Sequence, residues 1–171
     1  MWRWDVLVMV VLLGFVAGIG CTQVAVTQND TQAAAVLTGQ DYAEIMQLFG
    51  RYNQGTDFRD ATLWLSAFSA DAVFQPGANA EEYVGQEALA EWRQQNFSAR
   101  PAERQSRHWN SSWVITPTPS GAKGRAYYLV VDVSSGQPVL EGSGYYDDIY
   151  VRTSDGWRIQ ERRPNSDTAP Q

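Results

Sequence analysis

His108 is the only histidine among the 171 residues, and histidine is the side chain that can take and return a proton near neutral pH. In an extended strand it shares a face with Asn110, Ser112 and Val114, while Trp109, Ser111, Trp113 and Ile115 point the other way. Two carboxylates, Asp57 and Asp60, stand in an Asp-x-x-Asp segment. A carboxylate bonded to an imidazole fixes its tautomer and stabilises the charged ring, so such a pair is a proton-transfer unit. Asp60 reads more simply as the cap of a short helix; Asp57 is open to either reading. Tyr52 lies on an apolar helical stripe. Its hydroxyl is a candidate donor to a substrate oxygen, with plain core packing as the other reading.

Other chemistries fit these residues poorly. One histidine and one cysteine cannot build the usual zinc sites. Neither a phosphate-cradling glycine loop nor a Gly-x-Ser-x-Gly elbow occurs. No metal and no organic cofactor is therefore expected. The net charge is −6, and the sequence shows no basic patch except Arg158, Arg162 and Arg163. Nucleic-acid binding needs clustered Lys and Arg, and is disfavoured.

A chain that is 44% hydrophobic and 12% aromatic folds around a core, and its length suits one domain. Thr38 caps a first helix with Asp41 in its opening turn, and Ile45, Leu48, Phe49 and Tyr52 recur at helical spacing. This helix is expected to run to about Gln54, with Gly55 ending it. A second, shorter helix opens at Asp60 and carries Leu63, Trp64 and Phe68. A short strand follows over 72–75, and Gly85 starts a third helix with Ala88, Leu89 and Trp92 on one side. From Arg107 the period is two, giving strands over 109–116, 124–133, 138–152 and 156–162. The turns between them are short, so neighbouring strands are antiparallel. Tyr146, Asp148, Tyr150 and Arg152 share one side of their strand, and Arg162 can pair with Asp148 from the next. Helices first and an antiparallel sheet afterwards make an α+β fold. The helices cannot cover the whole inner face of a curled sheet, which leaves a cavity lined by aromatic and aliphatic side chains.

The ends read differently. Met1-Trp-Arg-Trp leads into an uncharged apolar run over 6–20. That run is shorter than the roughly 20 residues of a membrane span and fits the hydrophobic region of a secretory signal. Gly18-Ile-Gly-Cys21 resembles a bacterial lipobox, whose cysteine is lipidated and begins the mature protein; Cys21 is the only cysteine. Residues 1–21 are thus expected as a signal peptide, 22–38 as a flexible tether, 39–163 as the folded domain and 164–171 as a loose tail. The expected location is the cell envelope, with a lipid anchor in a bacterial membrane.

Several pieces stand in a particular order: Tyr52 leading to Asp57 and Asp60, then Trp64-Leu-Ser-Ala-Phe-Ser-Ala-Asp-Ala-Val-Phe74, then Gly85 heading a helix. Arg107-His108 follows, then Gly144-x-Tyr146-x-Asp148-x-Tyr150-x-Arg152 and Gly156-Trp-Arg-Ile-x-x-Arg162. Together they resemble the SnoaL-like branch of the NTF2-like superfamily over about residues 39–163. The resemblance implies a cone, a curved antiparallel sheet wrapped on the N-terminal helices around a central pocket. The superfamily includes polyketide cyclases, ketosteroid isomerases, a scytalone dehydratase, dioxygenase small subunits and binders, so the fold alone does not give the function. His108 stands where dehydratase-like relatives carry a catalytic histidine, and Asp57 where they carry a catalytic or histidine-orienting carboxylate. Three positions depart. Tyr127 or Tyr128 stands in place of a second histidine, Thr56 in place of a tyrosine before the aspartate, and Ser112 in place of an asparagine.

The resulting expectation places His108, Asp57 and Tyr52 in catalysis. Trp64, Phe68, Trp92, Ser112, Tyr128 and Tyr146 would line the pocket of a small apolar or aromatic ligand. The protein is then a cofactor-independent lyase or isomerase, or else a non-catalytic binding lipoprotein. A homodimer through the open sheet is a further expectation.

Overall fold

Thr38 opens the first helix through a reciprocal cap. Its hydroxyl accepts the Asp41 N–H at 3.2 Å, and the Asp41 carboxylate accepts the Thr38 N–H at 2.8 Å. Asp41 also accepts from Trp157 Nε1 at 2.9 Å and pairs with Arg152. The structure is a computed structural model that describes residues 36–167. The apolar run, Cys21 and the expected tether before Val36 lie outside the described residues, as do residues 168–171.

Helix α1 (Gly39–Asp57) buries Ile45, Leu48, Phe49 and Tyr52, the stripe that the spacing predicts. Gly55 does not end it. Trp64 of the next helix crosses α1 at this glycine, where a Cβ would lie 2.5 Å from the Trp64 nitrogen. The chain reverses instead at Arg59, whose φ is 56°. Asp60 caps α2 (Ala61–Leu65) by accepting the Leu63 N–H at 2.8 Å. Phe68 lies beyond α2 and begins β1 (Phe68–Phe74). A two-residue β2 (Tyr83–Val84) and α3 (Gly85–Ser98) follow. No helix among the described residues is long and apolar enough to cross a membrane.

Four longer strands come next: β3 (Ser106–Thr118), β4 (Gly121–Asp132), β5 (Val139–Thr153) and β6 (Gly156–Ser166). They are mutually antiparallel, as their short turns require. The start of the expected tail is strand, because β6 continues through Pro164 to Ser166, opposite Gly144. β1 pairs in parallel with β6, and β2 pairs antiparallel with β1. The six-stranded sheet, ordered β2-β1-β6-β5-β4-β3, is therefore mixed. It is curved and unclosed, with the helices on its inner face.

β3 changes phase halfway along. Its register with β4 shifts between Ser111 and Val114, and Ser112 takes φ 57° there. This is a β-bulge, which inserts one residue and swaps the faces of everything beyond it. Before it, the Asn53 side chain on α1 bonds to the His108 carbonyl and the Asn110 side chain. After it, Trp113 and Ile115 pack against the core while Val114 is 66% exposed. The expected face shared by His108, Ser112 and Val114 is thus broken at Ser112. A strict period of two has no place for the extra residue.

The crossing of α2 over α1 gives a matched test. Gly55→Ala is expected to lower stability by about 1–3 kcal/mol through overpacking. Gly50→Ala, where the nearest atom is 3.9 Å away, should be neutral or gain up to about 1 kcal/mol. Urea unfolding of both variants checks this, and equal midpoints would show that Trp64 does not press on Gly55.

Candidate active site

Asn53 and Asp57 lie one turn apart on α1, and both reach the start of β3. Asp57 Oδ1 is 2.5 Å from His108 Nδ1, and Asp57 Oδ2 accepts the His108 backbone N–H at 2.9 Å. Ser106 donates its hydroxyl to Asp57 Oδ1 at 3.1 Å. Asn53 Nδ2 donates to the His108 carbonyl at 3.3 Å and to Asn110 Oδ1. The carboxylate is therefore fixed from several sides. It selects the imidazole tautomer with the proton on Nδ1, which leaves the lone pair on Nε2. Nε2 has no hydrogen-bond partner among the described residues. The two side chains are only 10% and 5% exposed.

Tyr52 points elsewhere, because five residues of helix separate its direction from that of Asp57. Its ring centre lies 5.7 Å from Trp64, 6.0 Å from Phe68, 6.3 Å from Phe74 and 5.6 Å from Tyr146. Two arginines enter this apolar space. Arg162 on β6 donates to both oxygens of Asp148 on β5 at 2.9 and 2.6 Å, the pairing that the alternating row predicts. Its guanidinium carbon is 4.3 Å from the ring centres of both Tyr52 and Tyr146 and 4.6 Å from that of Phe49. Tyr150 donates to the same carboxylate at 2.7 Å. Burial pulls the Arg162 guanidinium down, but the Asp148 carboxylate outweighs it and holds the group above its ordinary value. Burial raises the Tyr52 hydroxyl, against the lowering charges of Arg93 and Arg162. It also lifts Tyr146 well above the ordinary range, with Tyr52 adding to the effect. Both hydroxyls are therefore protonated donors at neutral pH.

The structure brings His108 and Asp57 into contact. Tyr52, Trp64, Phe68 and Tyr146 form one buried aromatic cluster with Trp92 against it. Tyr128 stacks on Tyr146 at 4.8 Å. No hydrogen bond or ring contact among the described residues joins Tyr52 to His108. Ser112 is a correction: it is not with the others. It is exposed on the bulge and borders a groove of about 590 Å³ on the face of the sheet turned from the helices, beside Val114, Tyr127 and Ile149. Thr56 donates its hydroxyl to the Tyr52 carbonyl at 2.8 Å and so stays within its own helix.

Two contributors escaped the sequence reading. Asn53 bears on the His108 carbonyl, and Arg93 is buried in the aromatic interior. Leu89, Arg93 and Phe97 are the buried residues of α3. They recur every four positions, so a charge standing inside an apolar stripe was the available signal. No cluster of three His, Cys, Asp or Glu able to hold a metal occurs among the described residues.

The model of a family described as SnoaL-like domain matches residues 38–163. Solved structures with the same fold include a protein of unknown function with a cystatin-like fold from Nostoc punctiforme. It is 24% identical, with a TM-score of 0.69 over 79% of this chain and 97% of its own. A Catenulispora acidiphila protein in complex with S-DNPA is 22% identical, with a TM-score of 0.68 over 76% of this chain and 96% of its own. ActVI-ORFA from Streptomyces coelicolor is 22% identical, with a TM-score of 0.67 over 75% of this chain and 98% of its own. At these identities the likeness shows the fold alone. No curated protein sequence matches the chain.

Removing one member of a buried ion pair strands the other. Asp148→Ala is expected to cost about 3–5 kcal/mol, while Asp147→Ala, whose side chain is 42% exposed, should leave the unfolding midpoint unchanged. Denaturant titration of the two variants checks the contrast.

Proposed function

We propose, because the chain belongs to the SnoaL-like domain family, that it is a cofactor-independent lyase or isomerase acting on a small apolar or aromatic compound. The observation that carries this reading is the 2.5 Å contact between His108 Nδ1 and Asp57 Oδ1. His108 Nε2 takes a proton from a carbon next to a substrate carbonyl, and the electron pair left behind forms a new double bond. The imidazolium, stabilised by Asp57, then gives the proton back. Returned to another carbon, it yields an isomer. Returned to a hydroxyl leaving the adjacent carbon, it yields an alkene and water. The histidine ends neutral in both cases. The Tyr52 hydroxyl, kept protonated by burial, is the donor assigned to the substrate oxygen. The aromatic interior supports an aromatic substrate, and a protein of the same fold in complex with S-DNPA supports a bound ligand.

A second reading is a non-catalytic ligand-binding lipoprotein. Tyr127 and Tyr128, standing where a second histidine is expected, favour it. Both readings share a place at the cell envelope, supported by the apolar run over 6–20 and by Cys21 as the only cysteine. The exposed Val114, Tyr127 and Ile149 on the outer sheet face support a homodimer through that face.

Turnover is to be screened on aromatic β-hydroxyketones and enones. His108→Ala is expected to lower the rate by about 10²–10⁴-fold, with Asp57→Asn also impaired and both variants folded by circular dichroism. Equal turnover by wild type and His108→Ala would remove the enzyme and leave the binder. In a bacterial host, Cys21→Ser is expected to abolish labelling by radioactive palmitate and to release the protein from the membrane fraction. Label retained in that variant would remove the anchor.

A further inference from the structure

A charge taken out of water needs a partner of opposite sign, and Arg93 has none among the described residues. It is 2% exposed. The arginines in ion pairs among the described residues are Arg104, Arg125, Arg152, Arg162 and Arg163. Arg93 donates to Asn96 Oδ1 at 3.3 Å and also bonds to the Tyr52 hydroxyl, while its Nε is buried without a partner. Ring faces cover it instead: Trp64 at 4.1 Å, Trp92 at 4.7 Å and Phe97 at 5.1 Å from the guanidinium carbon. Ring faces attract a cation but leave its N–H groups unfilled. Arg162, in the same interior, has both oxygens of Asp148.

The surroundings of Arg93 are positive as well. Burial pushes its guanidinium down to about 10, followed by the opposing effect of Tyr52 and then the lowering charge of Arg100. No carboxylate is among these leading influences. Arg100, half-buried just beyond α3, is itself held down by burial and then by Arg104, with Arg59 acting in the same sense. Glu141 opposes this, but it is already engaged by Arg104. Arg100 thus adds positive charge at the buried Arg93, and Arg59 and Arg104 bear on Arg100 in turn, in a protein of net charge −6. A cluster of one sign within an apolar wall draws in and holds the opposite sign. The planar guanidinium fork matches a carboxylate, and the rings beside it match an aromatic body.

We infer that Arg93 is an anion-binding subsite of the aromatic interior, and that the ligand is an aromatic compound bearing a carboxylate. This rests on the reading that the interior holds the ligand. The carboxylate would fill the guanidinium hydrogen bonds and place the rest of the molecule beside Tyr52.

The test compares 2-naphthoate with its neutral amide, 2-naphthamide, read by quenching of tryptophan fluorescence, since Trp64 and Trp92 border Arg93. Wild type is expected to bind the acid at least about tenfold more tightly than the amide. Arg93→Met should bind the two equally, and Arg93→Lys should keep part of the preference. Arg93→Met should also melt no lower than wild type, because an apolar side chain replaces an unpaired buried charge. Arg93→Gln serves as a second variant if the methionine variant does not fold. Equal binding of acid and amide by wild type would overturn the anion subsite and leave the interior as a ligand site. A preference that survives loss of the Arg93 charge would place the anion elsewhere and overturn it too. Binding of neither probe would overturn both readings.

Discussion

Arg162 and Asp148 face each other directly across β6 and β5, and no solvent reaches either side chain. Two charges at that depth are tolerated only while they pair, and Arg162 donates its Nε and Nη2 to the two oxygens of Asp148. The pair therefore sets the register of the two strands, since a slip of one residue would turn both charges to the opposite face. The rings of Phe49 and Tyr52 lie over the same guanidinium, so α1 is located by it as well. α1 in turn carries Asp57 to His108. The position of the His108–Asp57 pair is thus inherited from an ion pair on the far side of the helix.

α1 separates two kinds of environment. One face meets β3 through polar contacts, where Asn53, Ser106 and Asp57 hold the histidine by hydrogen bonds. The other face meets aromatic rings that embrace two arginines, one paired and one not. The first environment holds an imidazole against a carboxylate, and the second holds fixed positive charge. The rings raise the tyrosine hydroxyls and so preserve them as donors.

What the sequence made legible was local. The helical stripe of α1, the cap at Asp60 and the short turns between β3, β4, β5 and β6 depend on residues near one another along the chain. The Asp148–Arg162 pair was visible because adjacent strands of alternating residues can be laid side by side. The pairing of β1 with β6 was not visible, since no turn announces a parallel contact between the ends of a domain. The role of Gly55 is set by the backbone of Trp64, which α2 brings in from outside the helix. The bulge at Ser112 broke the alternation and misassigned that serine. His108 and Asp57 are 51 positions apart, and only the family resemblance brought them together. Arg93 was overlooked because a helix arginine is ordinarily solvated.

Asp41 gathers donors from both ends of the domain: the Thr38 N–H and hydroxyl, Trp157 Nε1 and Arg152. A pull applied through the residues before Thr38 enters the fold at this carboxylate. The tension passes into the hairpin of β5 and β6, inner strands of the sheet, before any turn of α1 can unwind. Asp57, near the end of α1 and bonded to His108, lies about 24 Å along the axis from Asp41. The domain can be hung by its N-terminus without strain reaching its working end.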